Sequence, residues 1–175
     1  YKRQVFLMGV LLLVNGGFIL LSSLISLFSN DGFVEKITIS SLIVISAGFV
    51  FLFFGRGYKK QIQKREGYLI VTLGWILMSI TGTIPYIMTG VIPQFSSSFF
   101  ESMSGYTTTG ATIIEKIDSL PKGILFWRST THWIGGLGII VLAIAILPFL
   151  GIGGTQLFSA EAPGPASDKL HPRIT

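Results

Sequence analysis

The sequence has no cysteine and little charge, with Asp, Glu, Lys and Arg together making up 12% of 175 residues. Soluble domains carry roughly 25% charged residues, so a globule wetted on every side is excluded. Without cysteine there is no disulfide-stapled secreted scaffold, and redox compartment leaves no trace. Heptads are missing, which removes a coiled coil, and the charge is too sparse for a disordered chain. No phosphate loop, nucleotide fingerprint or metal-ligand cluster is present. What is there is apolar: half the residues are hydrophobic and the mean hydropathy is +0.69. The chain therefore reads as an all-α integral membrane protein. Its net charge of +5 comes from basic residues beside apolar runs, where they mark a cytoplasmic face, so nucleic acid is not an expected partner.

A hydrocarbon core about 30 Å thick needs roughly 20 helical residues to cross. Four runs free of Lys, Arg, Asp and Glu meet that length: Gln4 to Asn30, Ile37 to Gly55, a third starting at Gly67, and Ser129 to about Leu150. The first is too long for a signal peptide and lacks a clear cleavage pattern. Lys2 and Arg3 precede the first run, and Arg56, Lys59, Lys60, Lys64 and Arg65 fill the loop after the second. The positive-inside rule places both in the cytoplasm, with Ser29 to Lys36 and Glu115 to Lys122 outside. The expected organisation is an N-terminal helix pair with its basic loop (1–66), a unit of two spans flanking a polar segment (67–157), and a Pro-rich cytoplasmic connector (158–175). Because Tyr1 is not an initiator and Thr175 falls within that connector, a piece of a longer protein is expected.

Between the third and fourth runs lies Phe95 to Thr112, too polar to face lipid and flanked by two outer span ends. It must enter and leave from one side. Ser96 to Ser98 can cap a helix, and Phe99, Phe100, Met103 and Tyr106 recur with helical spacing. A helix of ten to twelve residues would reach about 15 to 18 Å, half the membrane. Thr107 to Thr112 then has poor helix and high β propensity, so an extended return strand is expected. Extended backbone is tolerated at that depth only against protein or a water-filled cavity. There its carbonyls can replace the hydration shell of a cation, and the negative end of the short helix favours the same ligand. Gly110 can adopt backbone angles closed to the threonines. The bland alternative is a polar turn at the membrane surface.

The tract Phe99-Phe-Glu-Ser-Met-Ser-Gly-Tyr-Thr-Thr-Thr-Gly-Ala-Thr112 resembles the first pore loop of the Trk/Ktr/HKT superfamily of potassium transporters, in its TrkH type. His132-Trp-Ile-Gly-Gly-Leu-Gly-Ile139, Ile146-Leu-Pro-Phe-Leu-Gly-Ile-Gly-Gly-Thr-Gln-Leu157, Glu161-Ala-Pro-Gly-Pro165 and Lys169-Leu-His-Pro-Arg-Ile174 are similar to that family's second pore helix and connector. The resemblance implies an extra helix pair followed by four pore repeats, of which this chain would hold the pair and the first repeat. It implies a filter of Thr107, Thr108, Thr109, Gly110 and Ala111, with potassium held by the backbone carbonyls of Thr108, Thr109 and Gly110. Ala111 and Thr112 stand where potassium channels have Tyr and a second Gly, which predicts a shorter, less uniform filter. The resemblance implies potassium as the transported ligand and no cofactor, and associates a Gly at position 110 with potassium over sodium.

The resemblance also implies a homodimer in a bacterial or archaeal plasma or inner membrane, with a cytoplasmic N-terminus. A cytosolic nucleotide-binding regulator of the TrkA or KtrA type is implied as well. Two other readings compete: a subunit of a homotetrameric cation channel, and a non-conducting membrane scaffold. An intramembrane protease built on Ser104 and His132 is disfavoured, because Ser102 occupies the place where a Gly would open an oxyanion site. Glu101, the one acid in the short helix, must find a partner. Lys122 and Arg128 read as snorkelling residues, and Trp127, His132 and Trp133 as interfacial ones.

Overall fold

The computed structural model describes residues 2–56 and 64–146. They form α1 (Lys2–Ser29), α2 (Val34–Gly55), α3 (Lys64–Gly82), α4 (Ile84–Thr89), α5 (Phe95–Tyr106), a single 3-10 turn (Ile117–Ser119) and α6 (Lys122–Ile146). No strand occurs among the described residues. Among the described residues, three segments are long and apolar enough to cross a membrane: Lys2–Ser29, Val34–Gly55 and Leu69–Thr89. The fourth expected span is helical through Ile146, but its helix starts at Lys122 rather than Ser129. Positions 147–150 of that span, the Gly151 to Gly154 helix stop and the 158–175 connector lie outside the described residues. The contacts that follow belong to the compact unit ending at Gly136; residues 137–146 continue α6.

Burial in this unit departs from that of a soluble protein, although a buried apolar cluster forms around Leu12, Ile19 and Val44. Large apolar side chains such as Phe28 (84% exposed), Phe53 and Phe54 point outward, while Asn15, Ser22, Ser26, Ser40, Ser41, Ser102 and Thr131 are buried. Lipid is as apolar as leucine, so helices in it associate through close packing and polar contacts rather than through apolar burial. The α1–α2 hairpin shows both. Gly16 packs against Ile45, Gly48 packs against Leu13, and the Ser41 hydroxyl crosses the seam to donate to the Gly16 carbonyl at 2.8 Å. Beyond this pairing, α1 packs on α3, α3 on the short helix α5, and α2 on α4.

The third span is broken between α3 and α4. Pro85 has no N–H to give the helix, which ends α3 at Gly82 and restarts it as α4. The Gly82 carbonyl at the break accepts the indole N–H of Trp127 at 3.2 Å. Trp127 is fully buried, which corrects its reading as an interfacial aromatic: the break needs a donor, and an indole N–H is one. Trp133 is exposed, with its ring edge against Phe18.

At one end of the unit, the α1–α2 loop meets the start of α6. The Asp31 carboxylate accepts the Gly123 N–H at 3.0 Å, the Phe33 N–H at 3.1 Å and the Ser26 hydroxyl. Partial burial pushes its pKa up, but the hydrogen bonds from Gly123, Ser26, Phe33 and Lys122 outweigh this and hold it below the usual carboxylate range. Asp31 thus caps the N-terminus of a helix far away in sequence, where the partial positive charge favours an anion.

Candidate functional site

The short helix α5 spans 12 residues, or about 18 Å, roughly half the hydrocarbon thickness. Its buried residues include Ser98, Glu101, Ser102 and Gly105, at the i, i+3, i+4, i+7 spacing of one helical face. Of the apolar positions expected on one face, Phe99, Phe100, Met103 and Tyr106, only Tyr106 is fully buried: Phe100 is 46% exposed, and Phe99 and Met103 are only half-buried. A helix wedged between other helices needs small side chains on its inner face, so that neighbouring backbones can approach. Its start is tied by the Ser98 hydroxyl, which donates to the Gln94 carbonyl at 2.9 Å.

The helix ends in a tight reversal. The Thr109 N–H donates to the Ser104 carbonyl at 3.0 Å and the Thr108 N–H to the Gly105 carbonyl at 2.9 Å. This is the Schellman pair of bonds, and it requires left-handed backbone at its pivot. The pivot is Thr108, with φ of 55°. The expectation that only Gly110 would take such angles is therefore corrected: the closing bonds of the helix hold a β-branched residue there, an unusual conformation costing on the order of 1–2 kcal/mol. Gly110 follows with φ of 76°. Nothing lies near the place its Cβ would occupy, so backbone angle rather than crowding demands glycine. Residues 109–114 form no regular structure, and the expected extended strand is instead an irregular return shaped by these two turns.

Thr107, Thr108, Thr109, Gly110 and Ala111 form one continuous exposed segment. The ends of this tract are tied and its middle is not. The Thr107 carbonyl accepts the Thr108 hydroxyl at 2.7 Å, and the Ala111 carbonyl accepts the Ser104 hydroxyl at 2.6 Å. Among the described residues, no donor reaches the carbonyls of Thr108, Thr109 or Gly110. These three carbonyls therefore carry no hydrogen bond from the described residues, and on this exposed tract they are open to water or another ligand. Among the described residues no group of three His, Asp or Glu side chains comes together, which leaves carbonyl and hydroxyl oxygens as the ligand chemistry on offer. Because Ser104 spends its proton on Ala111, it is not poised toward His132, and the protease dyad is not formed.

Three contacts hold this tract against the scaffold. Glu101, whose side chain is 1% exposed, accepts Arg128 Nε at 2.8 Å. It also accepts the Thr112 hydroxyl at 3.0 and 2.9 Å and the Ile113 N–H at 3.2 Å. Arg128, expected to snorkel, is only 16% exposed and turns inward; because α6 starts at Lys122, it lies well inside the helix, where a buried carboxylate is the available counter-charge. Tyr106, the last residue of α5, is fully buried and gives its phenol proton to Asn15 of α1. Finally, α6 comes so close at Gly135 that a Cβ there would collide with the Tyr106 carbonyl.

Sequence reasoning found the tract and the need of Glu101 for a partner, but missed Asn15, Thr81 and the inward roles of Trp127 and Arg128. A signal for Asn15 existed: it is the one amide between Gln4 and Ser29, in a run otherwise apolar but for three serines, and a polar side chain at mid-span seeks a partner on another helix.

The family model described as a cation transport protein, TrkH, matches residues 31–175. The chain is 42% identical over 170 residues to the Trk system potassium uptake protein TrkH of Salmonella typhimurium, covering 96% of this chain and 35% of that protein. To the TrkH protein of Vibrio parahaemolyticus it is 41% identical, over 99% of this chain and 36% of that one. It also superposes on the crystal structure of the potassium transporter TrkH from Vibrio parahaemolyticus with a TM-score of 0.81 at 39% identity, covering 87% of this chain and 33% of the other. The chain thus spans about a third of the length of these relatives. On a family match over residues 31–175 and relatives matched along nearly its whole length, with long apolar helices, the chain belongs to the TrkH family of cation transport proteins, which reside in membranes.

Proposed function

We propose that this chain supplies the N-terminal helix pair and the first pore repeat of a potassium-uptake protein. In this reading Thr107 to Ala111 line the narrowest path, and a dehydrated potassium ion is held by the carbonyls of Thr108, Thr109 and Gly110. The observation that carries it is the absence of any donor to those three carbonyls among the described residues, on an exposed tract at the C-terminal end of a half-membrane helix. Oxygens without donors can trade places with hydration water, and the negative helix end adds to the attraction.

One re-entrant loop surrounds an ion on one side only, so the remaining ligands come from further repeats. The names and lengths of the relatives support a longer chain carrying them over a homotetramer of this unit, and the open carbonyls favour conduction over a scaffold. The proposed organisation keeps the helix pair (1–66), the repeat (67–157) and the connector (158–175). It includes a homodimer in the inner membrane with a cytoplasmic N-terminus, and a nucleotide-binding regulator of the TrkA or KtrA type on the cytoplasmic side.

The test is uptake by the full-length protein in a potassium-uptake-deficient strain at matched membrane expression. Gly110→Ser weakens the preference for rubidium over sodium, since a side chain at positive φ costs about 1 kcal/mol and discrimination changes tenfold per about 1.4 kcal/mol. Gly110→Asp severely impairs potassium uptake by placing a carboxylate beside the path. Thr112→Ser, which retains the hydroxyl bonded to Glu101, shifts the preference less than Gly110→Ser. Unchanged uptake in both Gly110 variants would sink the filter.

A further inference from the structure

The pore helix is held at its filter end by a helix outside the pore repeat. Asn15 is fully buried at mid-length in α1, where an amide in an apolar helix is costly unless both its polar atoms are used. Both are used. Its Nδ2 donates to Thr81 Oγ1 of α3 at 3.0 Å, and its Oδ1 accepts the phenol proton of Tyr106.

The direction of this relay is dictated by Thr81. The single hydroxyl proton of Thr81 goes to its own helix, with the carbonyls of Leu77 at 3.0 Å and Met78 at 3.2 Å. Its oxygen can therefore only accept from Asn15, so the amide nitrogen faces Thr81. That leaves the amide oxygen for Tyr106, whose hydroxyl must donate. One orientation of Asn15 satisfies all three groups.

Tyr106 immediately precedes Thr107, the first residue of the filter tract. Its ring lies edge-on to Trp75 at 6.5 Å between centroids, and its carbonyl is pressed against Gly135 of α6. Rotation of the helix end would move the Schellman turn at Thr108 and the carbonyls that follow it. Packing by Trp75 and Gly135 limits translation, but a ring edge and a glycine set no rotational register; directed bonds do, from Arg128 to Glu101 further back on the helix and, at its filter end, from Tyr106 to Asn15.

We infer that Asn15 is a positioning residue for the filter, so that the N-terminal helix pair takes part in ion discrimination rather than serving only as an addition to the pore. This rests on the filter proposed above. The expected effect of breaking the relay is a threefold to tenfold loss of rubidium over sodium preference, on the order of the worth of one interhelical hydrogen bond in a membrane.

The experiment measures rubidium and sodium uptake by the full-length protein at matched membrane expression. Asn15→Leu and Tyr106→Phe each lower the ratio, and the double variant lowers it no further than Asn15→Leu alone, because both remove the Asn15–Tyr106 bond. Asn15→Asp, which keeps an acceptor for the phenol, retains most of the ratio. Ser22→Ala, which removes a bond within α1 alone, leaves it unchanged. Should Asn15→Leu fail to reach the membrane, Tyr106→Phe decides, since it deletes one oxygen and keeps the ring. A ratio unchanged in Tyr106→Phe, additive losses in the double variant, or an equal loss in Ser22→Ala overturns the inference while native selectivity leaves the filter reading intact. A native protein that takes up neither ion overturns both.

Discussion

Arg128 of α6 donates through Nε to Oε1 of Glu101 on the pore helix at 2.8 Å, with both side chains largely withdrawn from the surface. The same carboxylate receives Thr112 and Ile113 just past the filter tract. One acid therefore joins a pore helix, the chain that returns from it and the span that follows. Its other neighbours are hydrogen-bond donors rather than cations, so the guanidinium is its counter-charge among these contacts.

Removing one partner of such a buried pair costs about 3–5 kcal/mol, while replacing both by apolar residues costs far less. Arg128→Met is expected to lower the melting temperature of the purified full-length protein sharply, and the Glu101→Leu, Arg128→Met double variant to recover part of that loss. Thermal melts followed by size-exclusion chromatography check this. A melting temperature unchanged in Arg128→Met would show that the pair is not holding the loop.

Thr108 adopts a left-handed conformation that glycine takes without penalty. Thr108→Gly is therefore expected to leave thermal stability undiminished. Thr109→Gly, at a residue not held at positive φ, costs about 0.5–1 kcal/mol through backbone entropy alone. The comparison is made by melting both full-length variants side by side; equal losses would mean that the turn at Thr108 is not strained.

Asp31 makes stability depend on acidity. Its folded pKa lies below the ordinary value because the Gly123, Ser26, Phe33 and Lys122 hydrogen bonds outweigh burial. Its contribution is therefore complete above the unfolded value of about 3.9 and disappears as pH falls through the lower folded pKa. Native protein should melt above Asp31→Asn at neutral pH, and the gap should close below about pH 4. Melting curves of both proteins across that window test it, and a gap that stays constant into acid would contradict the assigned contacts.

The long apolar runs were legible because hydropathy is summed over many residues and tolerates local error. The half-length of α5 followed from counting residues between the Ser96 to Ser98 caps and the threonines. Arg128 was misread because a charge near a presumed span end looks interfacial, and the start of α6 at Lys122 was not marked by composition. Trp127 was misread for the same reason: a tryptophan near a boundary is read by its type, whereas its burial depends on a helix break forty-five residues away that leaves the Gly82 carbonyl to it.

By itself the sequence determined the solvent of this protein, the number and order of its apolar segments, and the position of the Thr-Gly tract, since each depends on residue type along a short stretch of chain. Only the tertiary structure decided which carbonyls of that tract are open, which residue pivots the turn, and which partners Glu101 and Tyr106 find. Those outcomes depend on contacts between residues far apart in the chain, as between Asn15 and Tyr106. Such contacts are set by how helices pack, and lipid, which offers no preference for apolar faces, leaves that packing to small residues and a few directed hydrogen bonds.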